Sequence, residues 1–109
     1  MKSEEQQILL RCRELTSLLE ASEPPAWQAW DHRDWEVEYE HGPRYLAGKW
    51  FGPQDERMRM RYRRAVDSLE RAGLVTTHRE WGGKLTHLAL TAAGVDAAEL
   101  LAAEGVTDG

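Results

Sequence analysis

Apolar residues at Ile8, Leu9, Cys12, Leu15, Leu18 and Leu19 recur at helical spacing, which predicts one amphipathic helix over residues 4–20. Ser3 with Gln6 forms a candidate capping box at its start, and Ser22-Glu23-Pro24-Pro25 stops it. Trp27 and Trp30 are spaced for a short helical turn that closes over the core. The pattern then changes period. Trp35, Val37 and Tyr39 alternate strictly with Glu36, Glu38 and Glu40, which predicts a short half-buried strand broken by Gly42-Pro43. Arg44 to Phe51 predicts a short helix weakened by Gly48, followed by a turn at Gly52-Pro53.

The next helix is expected from about Pro53 to Ala72, with Pro53 suited to its first position. Gly73 is placed to end it in the left-handed conformation, with Leu74 packing back on the last turn. Two strand-like stretches, 75–80 and 84–91, flank Gly82-Gly83, a pair that supplies the positive φ of a two-residue hairpin turn. An Ala- and Leu-rich helix over 92–103, capped by Thr91, closes the pattern, and 105–109 read as a frayed end. No internal repeat or low-complexity segment interrupts it.

A helix turns about 100° per residue, so the faces of the segment 53–72 can be separated. Met58, Ala65, Val66, Leu69 and Ala72 cluster about Tyr62 and predict the core face. Arg57, Arg61 and Arg64 gather on the far side beside Met60 and Ser68, with no acid on that face. Arg59 and Arg63 share a flank with Glu56, Asp67 and Glu70, so Arg63 is expected to pair with Asp67 at i,i+4. Arg71 also lies near Asp67.

Charge sharpens this picture. The 109 residues carry a net charge of −5, which taken alone disfavours a nucleic-acid partner. Residues 44–64 nevertheless hold seven basic and two acidic side chains, between flanks in which acids dominate. A local patch sets the field that a phosphate backbone meets. The length fits one domain over residues 1–109, and 41% hydrophobic with 30% charged residues is ordinary for a globular chain. No apolar run is long enough to span a bilayer, and the polar, acidic N-terminus is unlike a signal peptide, so cytoplasmic residence is expected. The single cysteine, Cys12, allows no internal disulfide and no multi-cysteine zinc site, and its place on the helical stripe predicts a buried thiol.

The order helix, strand, short helix, long helix, hairpin, helix is that of an α+β, mostly α, winged helix-turn-helix. The early strand would pair with the hairpin to make a small three-stranded antiparallel sheet, with residues 44–72 as the helix-turn-helix and 75–91 as the wing. The segments Arg64-Ala65-Val66-Asp67-Ser68-Leu69-Glu70-Arg71-Ala72-Gly73-Leu74-Val75 and Leu88-Ala89-Leu90-Thr91-Ala92-Ala93-Gly94, with the hairpin between them, resemble winged-helix transcriptional regulators of the MarR and PadR type. The resemblance covers about residues 44–95 and implies sequence-specific binding of double-stranded DNA. By that resemblance Arg57, Arg61, Arg64 and Ser68 face the major groove. Arg44 and Lys49 join the basic surface, and Arg79 and Lys84 reach the backbone or minor groove from the wing. The short wing, the acids Asp55 and Glu56 before the long helix, and the Trp27–Trp35 stretch depart from the family pattern.

Other chemistry has less behind it. If Gly82-Gly83 form the turn, counting outward sets His78 opposite His87, with Glu80 as the sole further ligand candidate on that face, too few for a stable metal site. His32 and His41 show no ligand spacing. Trp27, Trp30, Trp35 and Trp50 read as core, and Trp81 stands alone at the hairpin tip. The sequence holds no nucleophile–base pair and no phosphate-binding glycine loop, so neither enzyme activity nor a cofactor is expected. Leu100 and Leu101 exceed what one small core would bury and suggest a symmetric homodimer. The competing expectation is a winged helix that binds protein within a larger assembly, using the leucine-rich first helix and the acids Glu36, Glu38 and Glu40.

Overall fold

A computed structural model describes residues 1–22, 30–80 and 82–104, with residues 30–33 through their backbone alone. Its elements are helices α1 (Ser3–Ala21), α2 (Trp30–His41), α3 (Ala47–Phe51) and α4 (Glu56–Arg71), strands β1 (Val75–Glu80) and β2 (Lys84–Leu90), and helix α5 (Ala92–Ala103). The expectations for Glu23-Pro24-Pro25, for Trp27, for the Trp30 side chain, for Trp81 and for 105–109 fall outside the described residues. Among the described residues no helix is long and apolar enough to cross a membrane.

Helix α1 starts one residue earlier than the Ser3 cap implied. Lys2 is the cap residue, and the Glu5 carboxylate accepts its backbone N–H at 2.8 Å, so Glu5 does the work expected of Gln6. At the other end the Ser22 hydroxyl donates to Leu19 O at 2.6 Å. Ile8, Leu9 and Cys12 are fully buried, but the stripe runs out toward the C-terminus, where Leu18 is 60% exposed.

Helix α4 forms as its pattern demands, with Tyr62, Ala65, Val66 and Leu69 all buried and Met58 half-buried. Ala72, expected on the same face, is exposed. The start differs from expectation. Pro53 lies outside the helix, and Asp55 caps it by accepting the Met58 N–H at 2.8 Å. A carboxylate satisfies an orphan donor and complements the positive end of the helix dipole, whereas proline offers only a favourable φ. The C-terminus is a Schellman motif. Gly73 takes φ +77°, its N–H bonds Glu70 O, and Leu74 N–H bonds Leu69 O, each at 3.0 Å.

The hairpin places His78 opposite His87 as counted, by a different route. Glu80 pairs with Lys84, so the loop holds three residues, Trp81 to Gly83, in place of two. Thr86 is then an extra residue on β2, between the pairs His78↔His87 and Arg79↔Leu85. Loop and bulge each shift the register by one, and the shifts cancel. The Thr86 hydroxyl donates to His78 O at 3.2 Å, which fills the bulge. Thr91 caps α5 as expected, accepting the Gly94 N–H at 3.0 Å.

The segment 35–40 is not a strand. It belongs to α2, and the sheet has two strands where three were expected. What remains of a third is the stretch after α2: Arg44 forms one isolated bridge with His87, Tyr45 N–H bonds Thr86 O at 2.9 Å, and Leu88 N–H bonds Pro43 O at 3.1 Å. Gly42 makes that approach possible. It has φ +97°, and a Cβ there would collide with the Leu88 carbonyl. Helix α1 packs against α4, α5 and β2, and its Cys12 joins Val66, Leu69, Val75, Leu88 and Ala98 in the core.

Candidate nucleic-acid interface

Because α4 spends one face on the core, its opposite face is turned to solvent. Arg57, Arg59, Arg61, Arg63 and Arg64 are all exposed, and among the described residues none has a carboxylate within 4.0 Å. The expected Arg63–Asp67 pair does not form. Asp67 and Glu70 instead face Arg79 of β1, each with an oxygen 4.0 Å from Nη2. The β1 strand runs back along the C-terminal half of α4, so a cation from the hairpin reaches these acids and Arg63 is left without them.

Arg79, expected to extend from the wing toward a phosphate backbone, lies beside the α4 acids, with Nη2 4.0 Å from an oxygen of Asp67 and of Glu70, and donates to Gly83 O at 3.3 Å. Lys84 is exposed and sits opposite Glu80 in the hairpin register.

Ser68 also has a partner that helix geometry alone did not reveal. Lys2, Glu4 and Glu5 of the N-terminal region line a cleft of 370 Å³ together with Arg61, Arg64, Ala65 and Ser68. Burial pulls the Glu5 carboxyl up, but hydrogen bonds from the Ser68 hydroxyl and the Lys2 amide, with nearby positive charge, leave it below its ordinary value. The arginine row therefore has no acid on its own face of α4 and two from α1 beside it. A helical wheel sees the first fact and is blind to the second.

The remaining candidates stand elsewhere. Arg44 and Lys49, both exposed, border a groove of 440 Å³ floored by Leu15, Leu18, Leu46 and Trp50. Arg44 also lines a larger groove of 830 Å³ between α2 and β2, with Lys84, His87, Glu38 and Glu80. The eight expected contacts are thus an α4 row (Arg57, Arg61, Arg64, with Ser68 at its edge), a pair over α1 and α3, and two hairpin cations of which one, Arg79, has acids of α4 beside it.

Three further groups are settled by their surroundings. Burial pushes the Cys12 thiol up to about 12, and its Sγ donates to Leu88 O at 3.5 Å, so it is a packing group at neutral pH. Burial likewise pushes the Tyr45 phenol up to about 12. The rings of His78 and His87 meet edge to face at 5.6 Å, and His41, dismissed on spacing, stacks on His78 at 3.8 Å. No spacing in the sequence links His41 to the hairpin, because it reads as a loop residue and instead ends a helix that docks there. Among the described residues no group of His, Cys, Asp or Glu side chains has a geometry that could hold a metal ion.

Compared with protein-family models, curated protein sequences and solved structures, the chain matches none.

Proposed function

We propose that this chain binds double-stranded DNA as a transcriptional regulator, with α3 and α4 as a helix-turn-helix and the β1–β2 hairpin as a wing. One observation carries the proposal. Five arginines between Arg57 and Arg64 are exposed on a helix whose other face is locked into the core, and none has an ion-pair partner among the described residues. Exposed guanidinium groups without ion-pair partners suit phosphates and guanine edges. The resemblance of residues 44–95 to MarR- and PadR-type regulators supports the same reading. The proposal extends to a symmetric dimer through α5, where Leu100 is 62% and Val95 39% exposed, while Leu101 packs on the chain's own core.

The test is fluorescence anisotropy of a labelled duplex at several salt concentrations, with stoichiometry read at saturation. Arg61→Ala weakens binding by about 1–3 kcal/mol if it reads a base. It lowers the slope of log affinity against log salt by about 0.9 if it holds a phosphate. Arg79→Ala costs less than Arg61→Ala, because Asp67 and Glu70 lie 4.0 Å from that guanidinium. Equal affinity of wild type and Arg61→Ala, or binding without salt dependence, rejects the proposal. It would favour a second reading, a protein-interaction module, which draws on the groove where Leu18 is left 60% exposed.

A further inference from the structure

The C-terminal turn of α2 meets the sheet through imidazole. His41 lies flat on His78, with ring centroids 3.8 Å apart and planes 9° from parallel, and His78 meets His87 edge-on at 5.6 Å. One ring comes from each of α2, β1 and β2. Parallel rings aim their nitrogen lone pairs in parallel planes, so the stack does not converge on a metal ion. Its chemistry is that of three bases in contact.

The three are not equivalent. His41 Nε2 lies 3.8 Å from the Glu40 carboxylate, and His78 Nε2 lies 3.2 Å from Glu80. Each of these rings thus has a carboxylate of its own beside it. His87 is 6% exposed, and its surroundings oppose a charge. Burial comes first, then His78, Arg44 and His41, with Glu80 alone pulling the other way, so its pKa sits below the ordinary value. The Thr86 hydroxyl lies 3.2 Å from His78 O and 2.9 Å from His87 Nδ1, so it ties the buried ring to the bulge.

We propose that His41, His78 and His87 form an acid-sensitive latch: neutral, the rings hold α2 on the hairpin, and a proton added at the buried His87 drives the C-terminal turn of α2 off the sheet. The new cation would face Arg44 and the rings of His78 and His41, with one carboxylate, Glu80, shared between it and His78. Water reaches it when the His41 side moves away, which opens the groove that Arg44, Lys84, Glu38 and Glu80 line beneath α2. The sign follows from linkage. A histidine whose folded pKa is depressed contributes stability that is full above its unfolded value, about 6.5, and is lost as pH falls below it.

Hydrogen exchange of the α2 amides at pH 7.5 and pH 5.0, corrected for intrinsic rates, tests the latch. In wild type, exchange over 36–42 speeds at least tenfold at pH 5.0 while the α4 amides keep their protection. In His87→Gln the acceleration disappears. Should that variant lose α4 protection already at pH 7.5, His87→Phe takes its place, since it keeps a flat ring and removes the proton site that the latch uses. Equal α2 protection of wild type at both pH values overturns the proposal, as does wild-type acceleration in the folded variant.

Discussion

Helix α4 buries Tyr62, Ala65, Val66 and Leu69 along one continuous stripe, whereas α2 leaves Tyr39 66% exposed and meets the rest of the chain on two thin lines. Trp35 and Tyr39, one turn apart, stack with ring centroids at 5.1 Å, and Trp35 Nε1 donates to Ser22 Oγ at 3.3 Å near the end of α1. Val37 and His41, also one turn apart, lie on the opposite side, toward β2. Two residues along a helix is a rotation of about 200°, so every second residue falls nearly opposite the last. A helix wedged between two neighbours therefore needs much the same alternation as a half-buried strand. Helix α2 touches both α1 and β2, and its alternating aromatic and acidic residues serve that wedge. Period alone does not separate the two cases. Three glutamates in six residues, good helix formers and poor strand formers, were the signal that did.

The comparison predicts that damage to α4 costs the whole fold and damage to α2 stays local. Leu69→Ala removes a side chain that is 1% exposed and leaves a cavity among Cys12, Val66 and Leu88. Urea unfolding followed by circular dichroism should show a loss of about 2–5 kcal/mol in one cooperative transition. Gly42→Ala should cost about 1–3 kcal/mol, because alanine at φ +97° is strained and its Cβ has no room beside Leu88 O. Amide exchange should place that loss in α2 and the Pro43–Tyr45 segment while α4 stays protected. A loss of α4 protection in Gly42→Ala would mean that the two helices belong to one cooperative unit. Asp55→Ala should cost the least, about 1 kcal/mol, by freeing the Met58 N–H at the start of α4. A thermal melt shifted by less than a degree would show that the cap contributes nothing.

The legible parts of the fold were those decided by neighbours in sequence. The α4 stripe, the Gly73 stop, the Thr91 cap and the two hairpin strands each depend on residues a few positions apart. The parts that were not legible depend on contacts between distant segments. Arg79 is claimed by Asp67 and Glu70 only because β1 doubles back along α4. Ser68 meets Glu5 only because α1 crosses α4. Counting along the hairpin put His78 across from His87, but nothing in the spacing could bring His41 onto them. The arginine row itself was readable from a helical wheel, and the acids that border it from α1 were not.

The extra residue at Thr86 has a consequence for how this hairpin can change. The base, from Val75 and Leu88 downward, is pinned by burial, with Leu88 fully enclosed. The tip, from Arg79 to Leu85, is joined to it through an irregularity that absorbs one residue. A one-residue insertion or deletion in the tip flips the facing of everything below it unless the bulge changes to compensate. The end of the hairpin is thus a separate piece on a fixed mount, tied to the rest through Arg79 beside Asp67 and Glu70 and through Leu85 against the core.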